Sequence, residues 1–312
     1  MKTESPDEGF RSMSLDYNAP LDYLPRIKSY YLGLGYGKPY QWARQDDVPF
    51  FQLQKPLSDA KIGIVTTASL FNPENGDQGP LAPYNGKAKF FISYAEPISP
   101  FPDVRVSHIA IDRAHTTAKD MASYFPLAAM LRLADAGHIG SVSTNFYGLP
   151  TNRSQRVTKQ TDCPRLLSLC QLDDVDAVVM VPNCPVCHQS TALASTHLEA
   201  AGIPTVIMGC AKDIIEYVGT PRLLFNDLPL GNGAGLPHDQ ASQDLAARMA
   251  VDLLVTAEAP RTTQQSPLTW SGAADWKKDY SNIALLSDEE IAHRRAEFDA
   301  VKQDAAKLKA AL

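Results

Sequence analysis

Asp176-Ala177-Val178-Val179-Met180-Val181-Pro182-Asn183-Cys184-Pro185-Val186-Cys187-His188 is the stretch on which the reading of the fold turns. Its first six residues are a short apolar, β-branched run, as expected of a strand buried in a parallel sheet. Pro182-Asn183-Cys184 then turns the chain into a helix opening near Pro185, since proline suits a first helical turn and helps define it. Working outward, further candidate strands are Lys61 to Thr66, Val104 to Ile111, Ile139 to Thr144, Ile203 to Met208 and, more weakly, Arg222 to Phe225. Helical patterns lie between them: Phe125 to Ala136, Cys187 to Ala201 and Asp239 to Thr256. Alternation of this kind predicts an α/β fold, a doubly wound, mostly parallel sheet with helices on both faces. The catalytic α/β domain is expected over 58–257. An irregular N-terminal arm over 1–57, rich in Tyr, Pro and charge, precedes it, and a linker with a C-terminal helix over 258–312 follows. Ser287-Asp288-Glu289-Glu290 matches a capping box opening that helix, with Ile291, Phe298, Val301, Ala305 and Leu308 on one face.

Composition narrows the function. The chain has 312 residues with 44% hydrophobic content, enough for a sizeable core without staples. Its five cysteines are too few and too unevenly spaced for a disulfide framework, which points to a reducing compartment. Met1 to about Pro20 is polar and acidic, without the apolar segment of a signal peptide, and no run approaches a membrane span. The expectation is a cytoplasmic protein with no membrane partner. A net charge of −6 with no Lys/Arg cluster opposes nucleic-acid binding. The terminal arms could wrap the core or mediate a homo-oligomer.

At the end of its strand, Cys184 falls near the helix N-cap, facing unpaired backbone N–H groups and the positive end of the helix dipole. Both favour thiolate over thiol and lower the pKa of the sulfur, making Cys184 the better nucleophile. Cys187 lies one turn further in, within disulfide reach and suited to resolving a covalent intermediate. Ligands of open α/β sheets bind at this edge. Three other readings compete. Cys-x-x-Cys-His is also a c-type haem attachment motif, which belongs on an exported chain. A structural zinc would need ligands recruited from Cys163, Cys170 or His188. The pair could also be merely structural. No metal and no certain cofactor is assigned, beyond an external dithiol or thiol reductant if the chemistry is reductive.

Around the pair, His108, Ala110 and Asp112 would point the same way on a strand, with Arg113 and His115 following where it ends. Arg113 would hold a substrate carboxylate, His108 or His115 act as acid or base, and Asp112 orient a histidine. A half-buried, satisfied His108 is the plain alternative. His188 could stabilise a thiolate or simply occupy a helix face. Asn145 and Tyr147 are candidate hydrogen-bonding groups after the strand ending near Thr144. Gly231-Asn232-Gly233-Ala234-Gly235-Leu236 lacks the third glycine of the dinucleotide fingerprint and reads as a loop.

Six motifs then occur in a familiar order: Val106-Ser107-His108-Ile109-Ala110-Ile111-Asp112, Phe125-Pro126-Leu127, His138-Ile139-Gly140-Ser141, Val181-Pro182-Asn183-Cys184-Pro185-Val186-Cys187-His188-Gln189, Ala201-Gly202-Ile203-Pro204-Thr205-Val206 and Leu228-Pro229-Leu230-Gly231. Over about residues 60 to 256 the chain resembles the glycine/sarcosine/betaine/D-proline reductase selenoprotein B family, most like its D-proline reductase branch. The resemblance implies a selenolate or thiolate at position 184 that attacks a small amino-acid derivative and cleaves a carbon–nitrogen bond. Cys187 would resolve the adduct. Two departures stand out: Cys184 replaces selenocysteine, and Cys210 stands where the family pattern has a small hydroxyl residue. Were Cys184 and Cys210 on adjacent strands, they could face one substrate as in two-cysteine racemases.

The functional expectation is thus a cysteine-thiolate enzyme cleaving a C–N or C–S bond of a small carboxylated or cyclic amino-acid derivative. A redox-neutral desulfhydrase or hydrolase acting on a cyclic thiocarbonyl or hydantoin-type substrate is one alternative, and a thiol redox sensor another. A concave pocket with Arg113 or a His opening onto Cys184 would favour the enzyme, a flat exposed pair the sensor.

Overall fold

The computed structural model describes residues 19–76, 85–106, 108, 110–270 and 273–310. In chain order the elements are α1 (Tyr23–Gly33), β1 (Lys61–Thr66), β2 (Ser69–Leu70), β3 (Tyr94–Pro97), β4 (Val104–Arg105), α2 (Leu127–Asp135), β5 (Ser141–Val142) and β6 (Asn145–Gly148). A continuous helical stretch follows, α3 (Gln155–Val157) running through a wider turn at Thr158–Asp162 into α4 (Cys163–Leu172). Then come β7 (Ala177–Val181), α5 (Pro185–Ala200), β8 (Thr205–Gly209), α6 (Lys212–Val218), β9 (Arg222–Phe225), α7 (Gln240–Thr256), β10 (Thr262–Gln265), α8 (Trp276–Asp279) and α9 (Asp288–Ala310).

The main sheet runs β10-β9-β8-β7-β1-β6-β3, with β5 also paired to β1. Every pairing is parallel except β3 against β6. The expected doubly wound α/β sheet is therefore present. In β7, Val178 and Met180 join the core under α4, α5 and α6, while Ala177, Val179 and Val181 join the core under α2 and α7. A strand apolar on both faces is what such a two-sided sheet requires. The order reverses at β1: β5 and β6 lie to one side, β7 through β10 to the other. Crevices at the carboxyl ends of strands open at such reversals.

Several local expectations are corrected. Of the strand expected over Val104 to Ile111 only Val104–Arg105 is extended, paired antiparallel with Ser69–Leu70; Ser107 and Ile109 lie outside the described residues. Beyond it the chain is held by local turns, with the Arg113 N–H donating to the Ile111 carbonyl (3.0 Å) and the Thr116 N–H to the Asp112 carbonyl (2.9 Å). The strand expected over Ile139 to Thr144 is Ser141–Val142 alone, and β6 starts where the sequence reading had already ended it. Gly140 precedes it because any Cβ there would sit 2.5 Å from the Asp59 carbonyl carbon.

Both terminal segments are more ordered than their sequence suggested. Residues 1–18 lie outside the described residues, but Tyr23–Gly33 is a helix docked by the Leu24 N–H on the Asp213 carboxylate at 2.7 Å. The 258–286 connection supplies β10, parallel to β9. The capping box forms as read: Ser287 Oγ accepts from the Glu290 N–H (3.2 Å), and Glu290 Oε2 accepts from the Ser287 N–H (2.8 Å). The two segments meet where Arg26 donates to the Lys278 and Tyr280 carbonyls (3.1 Å each) and Tyr23 packs edge-on against Tyr280.

Candidate functional site

The Pro182-Asn183 turn is clamped to the end of β1, where Thr67 Oγ1 accepts from the Asn183 backbone N–H (3.0 Å) and from its side-chain amide (3.2 Å). This fixes Cys184 as the N-cap of α5, extended at φ −134° and ψ 167°, with Pro185 behind it in the first turn. Its Sγ accepts from the Cys187 N–H at 3.3 Å. A sulfur in that position takes the place of a capping oxygen, and the helix N-terminus favours negative charge on it. Cys184 and Cys187 form a disulfide, their Cα atoms 4.9 Å apart. On its other side Cys187 Sγ meets the Thr151 hydroxyl at 3.1 Å.

A cavity of about 100 Å³ opens onto Cys184. Ser69, Thr151 and Cys184 bring the carboxyl ends of β1, β6 and β7 to it, and His108 joins from the turn after β4. A His108 ring nitrogen and both sulfurs lie within 4.8 Å of one another. The His108 Nδ1 is buried without a hydrogen-bond partner, and burial, reinforced by Lys89 and Arg113, pushes the ring down to about 3. It is therefore a neutral imidazole near neutral pH. Once reduced, this trio has the donor set of an open Cys2His zinc site, but the positive field of Lys89 and Arg113 works against a dication there.

Ile27 and Tyr31 of α1, Tyr40 and Trp42 beyond it, Phe90, and Tyr280 close the cavity with apolar and aromatic surface. Two cations line it, Lys89 and Arg153. None of these residues was singled out from the sequence. Thr151 and Arg153 were missed because the expected strand stopped at Thr144, before β6 begins; the Gly148-Leu149-Pro150 turn was the available signal. The aromatics carried no helical or strand period to mark them.

Other expected site residues fall elsewhere. Asn145 and Tyr147 sit within β6 and are bound to Asp173, through Asn145 Nδ2 (2.9 and 3.1 Å) and the Tyr147 hydroxyl (2.7 Å), so they join β6 to the end of α4. Asp112 and Arg113 line a neighbouring cavity that shares Tyr31 and Tyr280 with the first, and His115 lies behind Asp112. There Asp112 holds His115 Nδ1 at 2.9 Å, and Arg113 donates to the His108 carbonyl at 3.1 Å. Cys210 does not line the Cys184 cavity; it is 2% exposed, its Sγ lies 3.9 Å from the Pro229 carbonyl, and burial pushes the thiol up to about 12. Cys184 and Cys210 do follow adjacent strands, β7 and β8, but with Cys210 outside the cavity the two thiols do not face one substrate there. The glycine-rich segment is the expected loop, tied through Asn226 Nδ2 to the Gly233 carbonyl at 2.8 Å.

His188 is corrected from thiolate stabiliser to backbone staple. Its Nδ1 lies 2.8 Å from the Cys184 carbonyl, and its Nε2 accepts from the Cys210 and Ala211 N–H groups at 3.0 and 3.1 Å. Only the neutral tautomer protonated on Nδ1 satisfies all three. Burial pushes this histidine down from 6.5 to about 4. The folded ring stays neutral while the unfolded chain takes up a proton near pH 6.5, so the stability it supports is complete above that pH. It is lost as the pH falls toward 4, by about 3 kcal/mol across the window. Urea unfolding at pH 7.5 and 5 should show this loss in the parent and a smaller one in His188→Asn; an equal loss in both would exclude His188 as its source.

No family model matches the chain, and no solved structure does. Among curated proteins, the D-proline reductase subunit gamma of Acetoanaerobium sticklandii is 25% identical over 221 residues, covering 70% of this chain and 88% of the relative. The glycine reductase complex component B subunit gamma of Symbiobacterium thermophilum is 25% identical over 231 residues, 73% of this chain and 53% of the relative. Its counterpart in Carboxydothermus hydrogenoformans is 24% identical over 198 residues, 62% of this chain and 45% of the relative. The chain thus spans about half the length of the glycine reductase subunits. The resemblance to the glycine/sarcosine/betaine/D-proline reductase selenoprotein B family is thus supported by similarity to these gamma subunits, at about a quarter identity over 62–73% of the chain.

Proposed function

We propose that the chain is a cysteine-thiolate enzyme that cleaves a C–N bond of a small carboxylated or cyclic amino-acid derivative by a reductase-like route. The observation that carries this reading is Cys184, capping α5 at the sheet's reversal point and facing a cavity, with Cys187 in disulfide reach behind it. The Cys184 thiolate attacks the carbon bearing nitrogen, and the amine leaves with a proton. The Cys187 thiolate then attacks Cys184 Sγ; the C–S electron pair passes to carbon, which takes a proton, and a disulfide remains. An external dithiol reduces it. The named relatives are subunits of larger enzymes, so the partners of this chain include a protein that delivers those electrons. A recessed pair, with Cys184 5% and Cys187 0% exposed, supports an enzyme over a sensor read by a partner surface.

The flat aromatic walls of the cavity favour a second reading, in which water rather than Cys187 frees Cys184 after attack on a cyclic thiocarbonyl or hydantoin-type carbon. The test is turnover per reduced enzyme, anaerobically and without dithiol, on D-proline and on hydantoin and thiohydantoin carboxylates. One turnover ending in a Cys184–Cys187 disulfide supports the reductive route. Many turnovers replace it with the redox-neutral one, and neither turnover nor a Cys184 adduct on any substrate rejects both.

A further inference from the structure

We propose that Lys89 and Arg153 form an anion-holding subsite beside Cys184 and that the aromatic roof above them selects a planar ring, so that the substrate is a flat cyclic carboxylate rather than a saturated or open-chain one. The proposal rests on Cys184 being the reactive thiol and adds the class of ligand presented to it.

Neither cation has a carboxylate partner among the described residues. The contacts found are with rings: Lys89 Nζ lies 5.3 Å from the centre of Phe91, and the Arg153 guanidinium 5.6 Å from that of Phe298. Lys89 is half-buried and Arg153 exposed, and a partly buried cation such as Lys89 without an anion loses hydration with no charge to offset it. Burial and the charge of Arg153 push the Lys89 amine down to about 8, the direction an unpaired cation takes. An anion bound between them would reverse that loss. Arg153 also holds a left-handed backbone, φ +54°, which a side chain with a Cβ adopts at a cost. Its neighbour Asn152 is anchored to Asp162 at 2.8 Å, which fixes the turn. Arg113, the carboxylate binder expected from the sequence, faces the neighbouring cavity instead.

The roof is fastened to the helix that carries the sulfur. Gln189 of α5 donates to the Tyr40 hydroxyl at 2.8 Å and accepts from the Ala43 N–H at 2.7 Å, and Tyr40 packs edge-on to Trp42 at 4.8 Å. Rigid aromatic faces reward a ligand with a π-face, which a flat ring has and a puckered ring lacks. Tyr31 and Tyr280 complete the enclosure.

Two probes of one size separate charge from general reactivity: iodoacetate, an anion, and iodoacetamide, neutral. Labelling of Cys184 in the reduced full chain is followed by peptide mass spectrometry. The iodoacetate-to-iodoacetamide rate ratio should fall about tenfold in Lys89→Met and further in Lys89→Met/Arg153→Met, with iodoacetamide rates nearly unchanged. Ratios equal to the parent's would overturn the subsite. Slow iodoacetamide labelling of Cys184 in the parent would instead defeat the nucleophile reading beneath it. For the roof, furan-2-carboxylate should protect Cys184 from iodoacetamide at a several-fold lower concentration than tetrahydrofuran-2-carboxylate, and Trp42→Leu should remove that preference. Equal protection in the parent would refute selection for planarity.

Discussion

Cys184→Ser is expected to lower turnover by at least about 10³-fold, because a serine hydroxyl is a far weaker nucleophile than the thiolate that the α5 N-terminus favours. The fold should survive, since a serine oxygen at the N-cap accepts the Cys187 N–H at least as well as sulfur does. An unchanged thermal midpoint would confirm that chemistry, not structure, was removed. Cys187→Ser has a different expected result. Its neighbour Thr151 and the α5 backbone remain in place, so Cys184 should still react and then stall as a covalent adduct, visible in the intact mass. Continued turnover by Cys187→Ser at the parent's rate would eliminate Cys187 as the resolving group, and residual turnover above 10% in Cys184→Ser would eliminate Cys184 as the nucleophile.

The pair was legible in the sequence because each step had a local physical cause. An apolar run sets β7, Pro182-Asn183 breaks it, and Pro185 opens α5, so the position of Cys184 follows without knowledge of the rest of the chain. The companions were not legible for the opposite reason. His108 was found, but through a strand that the structure replaces with turns; its place comes from the chain's return over β1 rather than from alternation. Lys89, Arg153 and the pair Tyr40 and Trp42 reach the cavity from three loops with no common period, and only tertiary contacts, such as those of Gln189, bring them there. Arg113 and Asp112 illustrate the converse error. They lie a few residues from His108, yet a turn sends them to the far side of Tyr280.

Arg222→Met should lower the unfolding free energy by about 4 kcal/mol, because it leaves a buried carboxylate without its counter-charge. The Arg222 and Glu199 side chains are both fully buried, with Nη1 and Oε1 2.6 Å apart. Burial pushes Glu199 up and Arg222 down, each against the pull of the other, so the ion pair exists by virtue of its geometry despite desolvation. That geometry includes the N-terminal segment: Glu199 Oε2 accepts from the Phe51 N–H (2.6 Å), Arg222 Nη2 donates to the Phe51 carbonyl (2.8 Å), and the guanidinium lies 4.1 Å from the centre of the Phe50 ring. Glu199 Oε1 also accepts from the Thr205 N–H at 2.6 Å, joining α5 to β8. Adding Glu199→Gln should recover part of the loss, since the amide oxygen still serves Thr205 while the unpaired charge is gone. Because residues 50–51 lead back to Tyr40 and Trp42, loosening them should also raise the iodoacetamide rate at Cys184 under native conditions. Urea unfolding decides the first claim and labelling the second. A loss below about 1 kcal/mol for Arg222→Met would show that the pair contributes little to holding this segment against the sheet.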